Sequence, residues 1–353
     1  MGKLEKLREQ LKQAGIDALL VTNPYNRRYL TQFTGTAGVV IVSQNDAVFI
    51  TDFRYTEQAE KEIEGYRIVQ HTKTIIEEVA AQCKAMNIET LGFEKEDMSY
   101  GLYELYHKQI DAKLKPVSGI VEKLRIVKSP EEIEVLKQAA KIADDAFEHI
   151  IQFIRPGVTE LEVSNELEFF MRKQGATSSS FSIIVASGHR SALPHGVATD
   201  KVIESGDFVT LDYGALFNGY ISDITRTVAV GEPSEKLKEI YAITLEAQKR
   251  ALAEIKAGMT GIEADRIARD YIAEHGYGEA FGHSTGHGIG LEVHEAPGLS
   301  FKSETVLEPN MVVTVEPGIY LPQIGGVRIE DDIIITENGN ERLTFATKEL
   351  LIL

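Results

Sequence analysis

The stretch at residues 207–230, DFVTLDYGALFNGYISDITRTVAV, decides how the second half of the chain folds. Asn218-Gly219 at its centre is the strongest short-range hairpin signal in the sequence, because both central residues of a type I′ turn need positive φ. With a two-residue loop, Phe217 faces Tyr220 across the hairpin. The stretch therefore predicts a pair of antiparallel strands.

This register places two carboxylates close together. Asp223 falls opposite Gly214, and because side chains alternate faces along a strand, Asp212 and Asp223 share one face. As diagonal neighbours they lie about 7–8 Å apart. Carboxylates that close repel each other unless a cation lies between them. The hairpin alone leaves open the alternative of two solvated acids on an outer sheet face.

Composition excludes several classes of partner. The formal charge of −17 argues against nucleic acids and anionic membranes, whose phosphates the chain would repel. No apolar run reaches the roughly 20 residues of a membrane helix. Residues 1–15 are typical of an amphipathic charged helix rather than a signal peptide. The single cysteine, Cys83, excludes an intramolecular disulfide. We expect a cytoplasmic protein with no nucleic-acid or membrane partner.

Residues 1–122 alternate helical and extended patterns, which predicts a three-layer α/β domain with a mixed sheet. Helices are predicted up to residue 14 and at residues 55–64, 75–86 and 99–110, and strands in IDALLVT, AGVVIVS, AVFIT, YRIVQ and TLGFE. A second domain is predicted at residues 123–353. It starts near KLRIVKSPEE, where Ser129, Pro130 and Glu132 form a capping box at the start of a helix.

The second domain repeats itself. IRPGVT at residues 154–159 reappears as IKAGMT at residues 255–260, and at the same offset Glu162 matches Glu263 and Gly175 matches Gly276. An ungapped series of matches predicts a duplicated unit of helix, turn, helix and strands. Two such copies packed face to face leave a cleft at their junction, where ligands usually bind.

Two further segments carry candidate ligands. FGHSTGHGIGLEVHEAP at residues 281–297 holds His283, His287 and His294 in a glycine-rich loop. MVVTVEPGIY at residues 311–320 is an apolar strand that ends in Glu316, and charge at the end of a buried strand needs a partner.

In GGVRIEDDIIIT at residues 325–336, strand alternation puts Arg328 and Glu330 on one face. A surface strand would alternate in the same way. Glu330, Asp331 and Asp332 could also be charges that only serve solubility.

The candidate ligands are carboxylates and one imidazole: Asp212, Asp223, His287, Glu316 and Glu330. Such oxygen-rich, hard donors can hold two divalent ions and disfavour a thiolate-type structural zinc. Two ions can share a bridging water and lower its pKa towards neutrality, which gives a hydroxide beside a polarised carbonyl.

The second domain closely resembles the pita-bread metallopeptidases, which include methionine aminopeptidase, aminopeptidase P, prolidase and the non-metal creatinase. The strings SPEEIEVLKQAAKIAD, PHG, LDYG, SDITRT, GHGIGLEVHE, VEPGIY and VRIED resemble the proline-specific branch, Xaa-Pro dipeptidase (prolidase) and aminopeptidase P. The resemblance implies a creatinase-type α/β N-terminal domain. It also implies an α+β pita-bread C-terminal domain with an internal pseudo-twofold duplication.

The resemblance also implies roles for the ligands. Asp212 would chelate one ion, Asp223 and Glu330 would bridge both, and His287 and Glu316 would complete the other. Glu316 would take the proton of the water and hand it to the leaving amine. The implied cofactors are two ions of manganese or cobalt, with zinc less favoured.

Other residues match family positions outside the ligand set. His195 and His294 would hold the substrate and steady the oxyanion. Arg328 would orient Glu330 without itself binding a metal ion, and Tyr320 would line the pocket. A homodimer is implied as well.

The implied reaction is metal-dependent hydrolysis of the Xaa-Pro peptide bond by the bridging hydroxide, with a dipeptide as the preferred substrate. Many prolidases have arginine after the HExP string, placed to bind the free carboxylate of the dipeptide, whereas this chain has Gly298. Aminopeptidase P activity on longer peptides is therefore the alternative. A non-catalytic pita-bread binding protein and creatinase-like chemistry without metal are disfavoured by the intact ligand set.

Overall fold

The computed structural model describes residues 2–353, so Met1, which the predicted first domain includes, lies outside the described residues. The chain divides into two compact units, Met1–Arg125 and Ile126–Leu353. The domain boundary predicted between residues 122 and 123 lies three positions before this division. None of the helices within residues 2–353 combines the length and the hydropathy of a membrane-spanning segment.

The first unit is built on one six-stranded sheet. Its helices are α1 (Lys3–Ala14), α2 (Pro24–Thr31), α3 (Thr56–Glu62), α4 (Ile75–Ala85), α5 (Tyr100–Gln109) and α6 (Glu122–Arg125). Its strands are β1 (Ala18–Val21), β2 (Val39–Ser43), β3 (Ala47–Thr51), β4 (Arg67–Gln70), β5 (Thr90–Glu94) and β6 (Lys113–Val117). The strand order is β4-β3-β2-β1-β5-β6. Antiparallel β1–β2 and β2–β3 pairs stand beside parallel β3–β4, β1–β5 and β5–β6 pairs, so the predicted mixed sheet is confirmed.

The central strands of this sheet are buried throughout. Every residue of β1, β2 and β3 is buried, which is typical of strands covered on both faces. Their β-branched residues pack with α4 and α5 in one hydrophobic cluster that includes Val79, Cys83 and Tyr106.

The second unit contains two helix pairs and several small sheets. Its helices are α7 (Pro130–Ile150), α8 (Glu160–Lys173), α9 (Glu235–Glu254) and α10 (Gly261–Glu274), with short 3-10 helices at Gly188–Ala192 and Gly278–Ala280. Its first strands are β7 (Ser178–Ser179), β8 (Ile184–Ser187), β9 (Phe208–Tyr213), β10 (Ala215–Phe217), β11 (Tyr220–Ile221) and β12 (Ile224–Ala229). The remaining strands are β13 (Gly286–Gly288), β14 (Glu295–Leu299), β15 (Val312–Val315), β16 (Gly318–Leu321), β17 (Gly325–Arg328), β18 (Asp331–Thr336) and β19 (Gly339–Arg342).

The hairpin at residues 207–230 has the predicted register. Phe217 pairs with Tyr220, and the turn residues Asn218 and Gly219 have φ of 48° and 84°, as a type I′ turn requires. The same register continues into β9 and β12, which are antiparallel.

The duplication predicted from the repeated string is visible in the helices. Thr159 caps α8 and Thr260 caps α10, each in a capping box with the glutamate three residues on. The pair α7–α8 packs on β8, β9 and β12 in one hydrophobic cluster, and the pair α9–α10 packs on β15 and β18 in another. Each copy of the repeat therefore has its own core.

Candidate metal centre

The second unit contains a cavity of about 570 Å³ that brings the predicted ligands together. Its wall includes all five: Asp212, Asp223, His287, Glu316 and Glu330. These side chains come from both copies of the repeat, because the aspartates belong to the β9 and β12 region and the others follow α10. The cleft expected from the duplication is therefore where the candidate ligands lie.

Asp212 and Asp223 are buried, with 9% and 4% of their surface exposed. Thr225 of β12 pairs with Asp212 of β9, so Asp223 is the diagonal neighbour of Asp212, as predicted. The Asp212 Oδ1 atom is buried and has no hydrogen-bond partner among residues 2–353. Two solvated acids on an outer sheet face are therefore excluded.

His287 presents one ring nitrogen to the carboxylates. Its Nδ1 lies 3.1 Å from the Gly288 carbonyl oxygen, which can only accept, so Nδ1 carries the proton. The lone pair of Nε2 is then available, 3.4 Å from Glu316 Oε1 and 3.8 Å from Asp223 Oδ2. Burial lowers the pKa of His287, which favours the neutral imidazole that binds metals.

Glu316 is positioned by the backbone at the end of β15. Its N–H donates to the Thr285 carbonyl oxygen at 2.7 Å. The Thr314 hydroxyl donates to Glu316 Oε1 at 3.3 Å and accepts the His287 backbone N–H at 3.1 Å. Because one threonine contacts both residues, the imidazole and this carboxylate are held in a fixed relation.

Arg328 contacts Asp212 rather than Glu330, which differs from the sequence prediction. Its Nη2 donates to Asp212 Oδ2 at 2.5 Å, and its Nε donates to Thr225 Oγ1 at 3.1 Å. The Thr225 hydroxyl in turn donates to Glu330 Oε2 at 2.5 Å. Thr225 therefore links Arg328 to Glu330 by hydrogen bonds, and Arg328 donates directly to Asp212.

Tyr320 contacts two residues of the cavity wall. Its hydroxyl lies 2.9 Å from Arg328 Nη1 and 2.7 Å from His283 Nε2. His283 itself lines the cavity, with Nδ1 3.9 Å from Glu316 Oε2. His283 was not included in the predicted set, although the cluster of three histidines in residues 281–297 was the signal for it. That segment was expected to be a loop, but the structure places His287 on the strand β13.

The two other predicted histidines lie at the same cavity. His195 and His294 both line it, and the rings of His294 and His287 are 4.4 Å apart between centroids. Burial, and then the neighbouring His287 and His195, lower the pKa of His294.

The acids next to Glu330 are not surface charges. Asp331 and Asp332 have no exposed surface, and Glu330 is 2% exposed, so the alternative of solubility charges is wrong. Asp331 pairs with Arg226 at 2.7 Å and with Lys348 at 2.6 Å. Asp332 Oδ2 accepts the Asp223 backbone N–H at 2.9 Å.

The electrostatics of the cavity fit divalent cations. Burial, followed by the charges of Glu330 and Asp212, raises the pKa of Asp223 well above its usual value. Burial, followed by Glu316 and Asp212, does the same to the pKa of Glu330. A cation among these carboxylates would remove the repulsion and favour their ionised forms. One donor atom each of Asp223, His287 and Glu330 also lies within 4.8 Å of the others, a spacing that one ion can span.

The fold and the site define an enzyme class: a duplicated α+β catalytic domain with a carboxylate-rich metal centre, preceded by a separate α/β domain. Residues 134–337 match the model of metallopeptidase family M24, and residues 3–127 match the creatinase/prolidase N-terminal domain.

Relatives and solved structures cover nearly the whole chain. The Xaa-Pro dipeptidase of Pyrococcus furiosus is 46% identical over 99% of both chains. The structure of an Xaa-Pro dipeptidase from Bacillus anthracis is 67% identical, with a TM-score of 0.99 and 99% coverage of both chains. That of an X-Pro aminopeptidase from Thermotoga maritima is 43% identical, with a TM-score of 0.91, over 98% of this chain and 100% of that one. The chain belongs to metallopeptidase family M24 and has the pita-bread fold with a creatinase-type N-terminal domain.

Proposed function

We propose that this protein is a dinuclear Xaa-Pro dipeptidase, a hydrolase that cleaves the peptide bond before proline. The observation that carries the proposal is the convergence of four carboxylates and one imidazole in one cavity of about 570 Å³. Relatives named Xaa-Pro dipeptidase, similar over the full length of the chain, support the substrate class.

The five donors, Asp212, Asp223, His287, Glu316 and Glu330, would together hold two divalent ions. Four carboxylate ligands and one imidazole suit manganese or cobalt better than an ion that prefers thiolate ligands. The ions would supply Lewis acidity, which polarises the scissile carbonyl and acidifies a water molecule.

Residues of the chain would move the protons and hold the substrate. Glu316, a carboxylate at the wall of the cavity, is the proposed general base that would accept a proton and then return it to the leaving amine. His195 and His294, at the wall of the same cavity, would bind the substrate and stabilise negative charge developing on its carbonyl oxygen. Arg328 would orient Asp212 directly, and Tyr320 would orient Arg328.

The direct test is metal removal and replacement. Protein stripped with a chelator should lose hydrolysis of Ala-Pro, and Mn²⁺ or Co²⁺ should restore it. Activity that survives complete metal removal would count against the metal mechanism and favour creatinase-like chemistry. Absence of both metal binding and hydrolysis would favour a non-catalytic binding protein.

A second candidate function is aminopeptidase P activity on longer peptides. Among the described residues that line the cavity, Arg328 is the single lysine or arginine, and its guanidinium is already bonded to Asp212, Thr225 and Tyr320. No lysine or arginine of that lining is therefore available for the free carboxylate of a dipeptide. The similarity to the X-Pro aminopeptidase structure agrees with this alternative.

Comparing Ala-Pro with Ala-Pro-Ala distinguishes the two candidates, because only the dipeptide places a carboxylate directly on the proline. Gly298→Arg sharpens the comparison: a Cβ at Gly298 would have no atom closer than 3.9 Å, so the position has room for a side chain. We expect this variant to lower the KM for Ala-Pro and leave that for Ala-Pro-Ala unchanged. An equal change in KM for both peptides would show that the side chain at position 298 does not bind the carboxylate of the dipeptide.

We further propose a cytoplasmic homodimer. The single cysteine suits that compartment, and family resemblance is the basis for the dimer. Sedimentation of the purified protein tests the oligomeric state.

A further inference from the structure

Helix α10 contains an ion pair between residues one helical turn apart, with a buried carboxylate and a partly exposed guanidinium. Asp265 has no exposed surface, and Arg269, whose side chain is 22% exposed, contacts it through two bonds, Nε to Oδ2 at 2.6 Å and Nη2 to Oδ1 at 2.9 Å. Burying the charge of Asp265 is costly unless further hydrogen bonds satisfy it. The partners of this pair therefore indicate what it does.

All of those further partners belong to one segment, residues 281–285. Asp265 Oδ1 accepts the Thr285 backbone N–H at 3.0 Å and the Thr285 hydroxyl at 2.8 Å. Arg269 donates to the carbonyl oxygens of Phe281 at 3.0 Å and His283 at 2.6 Å. The pair thus fastens both ends of the segment to α10.

The same segment leads directly into the metal centre. The Thr285 carbonyl oxygen accepts the backbone N–H of Glu316 at 2.7 Å, and His287 follows two residues later. The ring of His283, whose carbonyl Arg269 holds, contacts Tyr320 at 2.7 Å. A shift of residues 281–285 would therefore move His283, His287 and Glu316 together.

We propose that Asp265 and Arg269 form a positioning unit, which sets the place of the histidine-bearing segment relative to Glu316 and thereby tunes metal affinity and turnover. Neither residue lines the cavity, so both act through residues that do. The inference rests on the proposed function, because it assumes that His287 and Glu316 bind metal.

The test is Arg269→Gln compared with Arg266→Gln. Arg266 is an exposed residue on the same helix and is the matched control. Calorimetric titration with Mn²⁺ alone should give a Kd for Arg269→Gln about 10–100-fold weaker than for wild type, the usual effect of losing a group that orients ligands. With Mn²⁺ saturating, kcat for Ala-Pro should fall about tenfold or more. Arg266→Gln should match wild type in both measurements.

A purely structural pair would give a different result. If Arg269→Gln melts at a lower temperature but binds Mn²⁺ and turns over Ala-Pro as Arg266→Gln does, the positioning role is overturned. If Arg269→Gln does not fold, Thr285→Val removes a single hydroxyl from the same contact. That variant should weaken Mn²⁺ binding at least threefold, and unchanged binding would overturn the proposal. Failure of the wild type to bind Mn²⁺ would instead reject the proposed function.

Discussion

At the scale of single residues, Gly214 lies directly against the backbone of Ser222, the residue before Asp223. A Cβ at this position would lie 1.7 Å from the Ser222 carbonyl oxygen, which is backbone and cannot turn away. Ser222 is also fixed, because its hydroxyl donates to the Ala139 carbonyl oxygen of α7 at 3.0 Å. Glycine is needed here for close approach, and it lets Asp212 and Asp223 face the same cavity.

Gly214→Ala should therefore destabilise the protein by about 3 kcal/mol, as overpacking in a rigid site does, and should weaken Mn²⁺ binding. Gly101→Ala is the control, because a Cβ at this position in α5 meets nothing within 4 Å. The control should be neutral or gain about 0.5 kcal/mol from helix propensity. Urea unfolding measures the free energy of unfolding of both variants. An unchanged value for Gly214→Ala would show that the strands can move apart at no cost in stability.

The charge of Asp223 depends on a nearby cation, because burial and then the charges of Glu330 and Asp212 raise its pKa. Asp223→Asn should remove metal binding but leave the metal-free protein at least as stable as wild type, because one of several repelling carboxylates is lost. In wild type, Mn²⁺ at about 100 times its Kd should add about 2.7 kcal/mol to the free energy of unfolding. Thermal unfolding with and without Mn²⁺ measures the gain in stability, and elemental analysis counts the metal ions bound per chain. Asp270→Asn, at an exposed position, should keep the full Mn²⁺ response, and an equal response in Asp223→Asn would contradict the ligand assignment.

At the scale of elements, helices α8 and α10 begin with the same capping hydrogen bonds. The Glu162 carboxylate accepts the Thr159 backbone N–H and that of Glu263 accepts the Thr260 backbone N–H, each at 2.7 Å. These bonds lower the pKa of both glutamates below the usual value of 4.5. A lowered folded pKa contributes stability that is present above the unfolded pKa and lost as pH falls through the folded one.

Glu162→Gln and Glu263→Gln should therefore each reduce the free energy of unfolding at pH 7, with a smaller difference from wild type at pH 3. Glu254→Gln, at an exposed position on α9, is the matched control, and the effect of each capping variant is compared with it. Denaturant unfolding at the two pH values provides the measurement. A constant difference across pH would mean that the carboxylate charge plays no part in the capping.

These elements were predictable from sequence because their causes are local. The Asn218-Gly219 turn, the capping boxes and strand alternation each depend on a few neighbouring residues, and they also placed Asp212 and Asp223 correctly. The contacts of Arg328 and Tyr320 were not predictable, because they depend on how β9, β16 and β17 pack. The Asp265–Arg269 pair was missed for the same reason, since i,i+4 pairs on helix surfaces are common and burial is not visible in the sequence.

At the scale of the whole molecule, each unit has a hydrophobic core of its own. The core of the first unit contains the single cysteine, Cys83, and the proposed metal ligands all belong to the second unit. Sequence patterns predicted two domains because helix and strand alternation changes to a repeat near residue 123. No local pattern showed whether the two units unfold together, so that property needs a measurement.

Cys83 provides that measurement. It is 3% exposed, and burial raises the pKa of its thiol to about 12, so the thiolate that reacts with disulfide reagents is scarce in the folded unit at pH 8. Labelling should therefore be slow until the first unit unfolds and should then approach the rate of a free thiol. Because the metal ligands and Cys83 belong to different cores, Mn²⁺ should raise the unfolding midpoint of the second unit, measured by retained Ala-Pro hydrolysis, and leave the labelling midpoint unchanged. An equal Mn²⁺ shift in both midpoints would show that the two units unfold as one, and the separate cores would then not be independent in stability.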